Sequence, residues 1–322
     1  MTDLQLRAPV DLTGYRLGQP QRAGDLTMVP LFGPTYPGIA PPRSAIKLSR
    51  VDGYGRVVLS YSGSSGVAIV PLHMGFIQDG AQNHALCRSA FLAAGQELLF
   101  ADACCVQASQ GGYLTERDQW FFVLPVELRS HALDLRGTAN YAKLWPAISG
   151  LNRRYGLADR GHLEQVLTGK RAQLTQYQSW LELQPEQLGA LFFLAGRLAG
   201  VEIAPDARYF AEVWMPLVCF AYGAAAWHAA ATSPAPPAAL PYEGVESVDD
   251  LRTALEVERR RATDDVRDWL AEAGWQHAEL TEEERFLDLR LCTVVADRAA
   301  GQVVLDGERL VYASLFDRRL AA

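Results

Sequence analysis

Apolar residues alternate with polar ones through the first 130 residues of the chain. Beyond about residue 135 they recur every three to four residues. The first pattern predicts strands over residues 45–50, 56–62, 67–74, 84–92, 97–105 and 120–125, joined by short turns. Residues 43–130 therefore read as mostly antiparallel β-structure. Ahead of them, residues 1–42 are rich in proline and glycine, with one strand at 26–31. They read as an extended arm laid against the core.

The helical period places one helix on Tyr141, Leu144, Ile148, Leu151 and Tyr155, with Pro146 in its first turn or at a kink. A second helix is predicted over 161–183. Two buried strands flank Gly196-Arg197 between residues 189 and 205, as a type II′ hairpin. Asp206 is placed to cap an apolar helix over 207–230. Four prolines between Thr232 and Gly244 make a semi-rigid linker. Ser247 opens a charged amphipathic helix to Ala273, ended by Gly274. Asp306-Gly307 turns the clearest hairpin, between Val303-Val304-Leu305 and Leu310-Val311-Tyr312. The fold class is α+β. A β-rich and helical core domain spans 1–231, the linker 232–244, and a helix-plus-hairpin unit 245–322. The helix or hairpin edge of that last unit offers a surface for self-association.

Composition narrows the class. The chain has 322 residues, 49% hydrophobic and 21% charged, so it carries enough apolar residues for a sizeable core. A net charge of -7 argues against a large nucleic-acid footprint. Cys87, Cys104, Cys105, Cys219 and Cys292 are odd in number and irregular in spacing, as expected of free thiols in a reducing cytoplasm. Residues 213–231 have the length to span a bilayer. Pro216, Gly223 and a run of alanines make them read instead as a helix buried in the core, with no membrane role.

Chemistry concentrates in a polar knot between apolar strands, Asp79-Gly80-Ala81-Gln82-Asn83-His84. Buried amides need partners, so the knot is either a hydrogen-bonded corner or a ligand site. Gln82 and Asn83 suit a sugar, a nucleobase or an amide, and His84 is a candidate general base. In the plainer reading the amides brace the corner and His84 faces solvent. Gln107, Gln110 and Gly111 form a second polar patch, where glycine allows close approach to a ligand or simply makes a loop. Glu202 interrupts an apolar strand. It is an acid/base candidate if it lies beside the knot, and otherwise an ion-pair partner for Arg129. Cys104 and Cys105 are adjacent on a strand and face opposite sides, so they cannot both join His84 and Cys87 around a metal. No metal or cofactor is assigned. Gly53-Tyr54-Gly55 reads as a hairpin turn, and Trp120, Trp145, Trp180 and Trp214 read as core. The chain lacks a P-loop, an HExxH helix, a CxxC pair and a GxSxG elbow.

These residues carry a resemblance. Thr27-Met28-Val29-Pro30-Leu31, the knot with its following strand, Cys104-Cys105-Val106-Gln107, Leu144-Trp145-Pro146 and residues 189–202 resemble a bacterial domain family of unknown activity. That family is named for association with ADP-ribosylglycohydrolases and rhodanese-like phosphatases. The resemblance covers about residues 26–231. The family pattern has arginine where this chain has His84, and neutral histidine holds phosphate less well than a guanidinium. The resemblance implies company with ADP-ribose or nucleotide metabolism, in a conflict or defence gene cluster, and no particular reaction.

The expected function is a non-catalytic ligand-binding or accessory protein for an ADP-ribose-like or nucleotide ligand, with a protein partner or a second copy of itself. The alternative is a hydrolase or transferase on such a ligand. Gln82 and Asn83 would then orient it and His84 or Glu202 would move the proton. The third reading is a structural self-assembling protein.

Overall fold

A computed structural model describes residues 14–77, 82–108, 120–232, 244–272 and 278–321. The α+β class holds: antiparallel sheets pack with helices. The largest element is a nine-stranded sheet. Its main path runs Arg16–Leu17, Leu26–Phe32, Gly189–Leu194, Arg197–Ile203, Arg309–Asp317, Ala299–Asp306, Leu289–Val295 and Glu279–Phe286, with Gln21–Ala23 also on Leu26–Phe32. Every pairing in it is antiparallel.

This sheet corrects two expectations. The strands beyond the proline linker do not form a unit of their own. Arg309–Asp317 pairs with Arg197–Ile203, with Gly200 opposite Phe316 and Ile203 opposite Ala313. The N-terminal stretch is likewise not an arm from residue 14 onward, because its strands pair along Leu26–Phe32. Pairing between distant strands leaves no mark in a local periodicity, which is why neither was legible.

Three smaller sheets lie beside the large one: Ala90–Ala93 with Val67–Val70 and Ile39–Ala40, Glu97–Phe100 with Val57–Tyr61 and Ile46–Val51, and Cys104–Cys105 with His84–Ala85, Met74–Ile77 and Trp120–Val123. The predicted strands 67–74, 84–92 and 97–105 each break into two short strands that join different sheets. The first break turns on Pro71-Leu72-His73, with His73 in the left-handed region at φ 61°.

The helices follow the sequence in part. Trp145–Arg154 has its proline in the first turn. Val248–Glu272 starts where Ser247 Oγ accepts the Asp250 amide at 3.1 Å. Asp206 caps Ala207–Met215 by accepting from the Tyr209 amide at 2.8 Å. The predicted helix over 161–183 is instead three single turns, Glu164–Leu167, Arg171–Leu174 and Tyr177–Trp180, with Gly169 between the first two. Val126–Asp134 is a helix that periodicity does not reveal: it is buried on almost every side, so no polar face marks its turns. The 189–203 hairpin turns on Ala195-Gly196, both at positive φ, with Leu194 opposite Arg197. That is a type I′ loop one residue earlier than the predicted type II′. Ala207–Ala229 is long and apolar enough to cross a membrane, and 72% of its most apolar window is buried inside the protein.

Candidate functional site

Three segments lie side by side around the knot. Strand His84–Ala85 pairs with Cys104–Cys105, and the Val106 amide donates to the Asn83 carbonyl at 3.0 Å. The Leu163 amide donates to Val106 and the Ala108 amide to Gly161, which draws the 161–164 turn against the same edge. The segments carry Gln82, Asn83 and His84; Cys105 and Gln107; and His162 and Glu164.

Their side chains bond one another. Gln107 Oε1 accepts the Asn83 amide at 3.0 Å, and Asn83 Nδ2 donates to Glu164 Oε1 at 2.6 Å. The Cys105 thiol lies 3.1 Å from both Gln82 Oε1 and the Gln107 carbonyl, and burial raises its pKa to about 11. Gln82, Asn83, His84 and Gln107, read from the sequence as parts of two separate polar patches, thus come together. Gln110, Gly111 and the first half of the knot, residues 79–81, lie outside the described residues.

His84 does not face solvent; it is 2% exposed. Its Nε2 accepts the Gly55 amide at 3.2 Å, so the ring proton sits on Nδ1, which donates to the Gln82 carbonyl at 2.8 Å. Both nitrogens are engaged in bracing the corner, and burial lowers the ring's pKa to about 4. A neutral imidazole with its lone pair already accepting a bond is a poor general base.

An aromatic ladder borders this cluster. Tyr54 stacks on Tyr141 with centroids 5.0 Å apart, and Tyr141 meets Trp145 edge-on at 5.6 Å. The Trp145 indole N–H donates to the Cys105 carbonyl at 3.0 Å, and the Cys105 amide to the Tyr141 carbonyl at 2.9 Å. Tyr54 is 51% exposed, while Tyr141 and Trp145 are half-buried. Trp145 packs against the core as well as on Tyr141. Trp180 is 55% exposed, which corrects its reading as core. Tyr141 lies in the turn that leads into Trp145–Arg154, four residues before Trp145.

Glu164 has no warning in the sequence. Burial pushes its carboxyl up to about 7, against the bond from Asn83. Its Oε2 is buried without a hydrogen-bond partner among the described residues, 3.7 Å from His162 Nδ1. The folded protein holds a proton here that the unfolded chain has already released above its ordinary carboxyl range. Stability is therefore expected to fall as pH rises from about 5 to 8, by up to about 3 kcal/mol from this group. Glu127, buried against Tyr155 and also raised to about 7, acts in the same direction. Denaturant unfolding of wild type and Glu164→Gln at both pH values isolates the Glu164 share. Equal slopes would show that Glu164 is not the titrating group.

Glu202 lies elsewhere. Arg129 Nη1 donates to its Oε1 at 2.5 Å, Tyr222 to the same oxygen at 2.7 Å, and Ser314 to Oε2 at 2.5 Å. Arg129 also donates to Ser314 Oγ, and to His73 Nδ1 at 3.2 Å. This is the ion pair foreseen as the alternative to catalysis. A cavity of about 20 Å³ adjoins Glu202, Tyr209, Tyr312 and Ser314, room for one water and nothing larger. None of these partners belongs to the knot, so the catalytic candidacy of Glu202 beside it does not hold.

Cys87 and Cys104 meet in the core with sulfurs 3.1 Å apart, while Cys105 faces the knot, the opposite orientations expected on a strand. All five cysteines are free thiols. Among the described residues no three His, Cys, Asp or Glu side chains converge as a metal site would require.

Comparison with known families extends the resemblance. ARPP-1, the ARG and Rhodanese-Phosphatase-superfamily-associated Protein domain, matches residues 14–316. The match runs past residue 231, through the long helix and the C-terminal strands that complete the large sheet. No curated protein and no solved structure matches the chain. The chain belongs to the ARG and Rhodanese-Phosphatase-superfamily-associated Protein domain family.

Proposed function

We propose that this protein is a non-catalytic ligand-binding or accessory module for an ADP-ribose-like or nucleotide ligand, working beside an enzyme partner. One observation carries the reading: an aromatic ladder, half-exposed at Tyr54, is hydrogen-bonded to the backbone of Cys105, whose thiol lies against Gln82 beside the Asn83–Glu164 pair. Aromatic faces hold planar rings, and amides with a carboxyl offer donors and acceptors to a base or a ribose. The family's association with ADP-ribosylglycohydrolases supports this ligand class, and a conflict or defence setting is part of the same proposal. The hydrolase or transferase alternative relied on His84 or Glu202 for proton transfer. His84 is spent on the corner and Glu202 on Arg129, so that alternative now needs another base.

A thermal-shift screen against ADP-ribose, NAD, AMP and sugar phosphates tests the proposal, with Gln82→Ala alongside. A ligand that binds only the folded state stabilises it by about 2.7 kcal/mol at 100 times its dissociation constant. The expected result is a rise in melting temperature with at least one nucleotide that is lost in Gln82→Ala. No rise with any compound, in a variant that still folds, removes the knot as a ligand site and favours the structural reading.

A further inference from the structure

We propose that the cluster of Gln82, Asn83, Gln107 and Glu164, with the adjoining aromatic ladder, receives the neutral nucleoside end of its ligand, base and ribose, and leaves any phosphates outside. This rests on the ligand-binding reading above and names which part of the ligand the site holds.

Three features support it. First, the ladder of Tyr54, Tyr141 and Trp145 presents aromatic surface at the site, 51% exposed at Tyr54. An exposed aromatic face holds a stacked base. Second, Glu164 Oε2 is a buried carboxyl oxygen with no hydrogen-bond partner among the described residues, while Oε1 is held by Asn83. Such a group costs stability unless it finds a partner, and a ribose hydroxyl or a base edge accepts from the protonated carboxyl or donates to the carboxylate. A phosphate brings only acceptor oxygens, and beside the ionised carboxyl it adds like charge.

Third, the side chains that make the knot carry no cation. Gln82, Asn83 and Gln107 are neutral, and His84 is kept neutral by burial, with its Nε2 accepting the Gly55 amide. Lys143 follows Tyr141 by two residues, but its ammonium is consumed by the carbonyls of Asp102, Leu135 and Thr138 at 2.6, 2.9 and 2.6 Å. Arg56, exposed, follows Gly55 in the chain and lies 3.5 Å from Asp52, and Arg160, also exposed, precedes Gly161-His162. Among the described residues the site's own side chains are thus aromatic, amide, thiol, imidazole and carboxyl.

The test is a binding series on the full chain, by calorimetry or thermal shift, with adenosine, uridine, AMP, ADP-ribose, ribose 5-phosphate and pyrophosphate. The nucleosides are expected to bind within about tenfold of their phosphorylated forms. Ribose 5-phosphate and pyrophosphate are expected to be about 100-fold weaker than ADP-ribose, the loss of a stacked base. Tyr54→Ala, at an exposed position, weakens adenosine and ADP-ribose by the same factor, about tenfold. Glu164→Gln keeps the Asn83 bond and also weakens both. If ADP-ribose binds but ribose 5-phosphate or pyrophosphate binds as well as adenosine, or if Tyr54→Ala leaves affinity unchanged, the base-end assignment is wrong while the ligand-binding reading stands. No binding by any probe overturns both.

Discussion

A chain ending at Gly244 is expected not to fold. The cut removes Arg309–Asp317, the strand that pairs with Arg197–Ile203 in the middle of the large sheet, together with the three strands beyond it. Eight of the nine residues in Arg309–Asp317 are buried. Among them Leu310, Val311, Tyr312, Leu315 and Phe316 each contribute about 1.5–3 kcal/mol of burial. Their sum alone is comparable to the 5–15 kcal/mol that typically separates folded from unfolded chains. The truncation also takes Tyr312, whose hydroxyl accepts the Leu72 amide at 2.9 Å, and Ser314, which bonds both members of the buried ion pair. The product should be insoluble, or soluble without a cooperative urea transition. A truncated chain that melts cooperatively would restore the separate C-terminal unit read from the proline linker.

Arg129→Ala should destabilise the intact chain by about 3–5 kcal/mol, the cost of leaving one member of a buried ion pair without its countercharge. The Arg129 side chain is fully buried and that of Glu202 is 6% exposed, so water cannot take over as partner. The guanidinium also lies 4.8 Å from the Phe316 ring, so the variant loses packing as well as charge. Arg129→Met with Glu202→Leu should recover part of the loss, because an apolar pair of similar volume replaces the charges. Recovery stays incomplete, since Tyr222 and Ser314 lose partners for their hydroxyls. Urea unfolding of the three chains measures this. A cost below about 1 kcal/mol for the single variant would place the pair in a solvated setting.

What the sequence disclosed follows from how local each signal is. The hairpin at Gly307, though its loop is Gly307-Glu308, one residue later than predicted, the Asp206 cap and the first-turn proline of Trp145–Arg154 were legible because each is decided by residues a few positions apart. That Gln82 and Asn83 need partners was legible as chemistry, since amides between apolar strands must find them, but that Gln107 is one of those partners was not. Glu164 was not, because an ordinary surface-looking glutamate becomes a buried carboxyl only when a distant turn is drawn onto Val106. His84 looked like a reactive group for the same reason: nothing nearby in the chain foretells that Gly55 will occupy its lone pair. Arg129 sits on a helix buried on nearly all sides, where periodicity has nothing to register. Glu202 and Arg129 were readable as a pair only through the rule that a carboxylate in an apolar strand needs a countercharge.

The central claim is that the ladder and the amide cluster together hold a nucleotide-type ligand. Hydrogen–deuterium exchange of the full chain with and without ADP-ribose tests it most directly, because it localises binding without altering the protein. The account predicts slower exchange in peptides covering residues 52–56, 82–86, 104–108, 141–146 and 160–165. Protection confined instead to the open groove bordered by Arg16, Phe32, Glu186 and Arg208, or no protection anywhere, would contradict it.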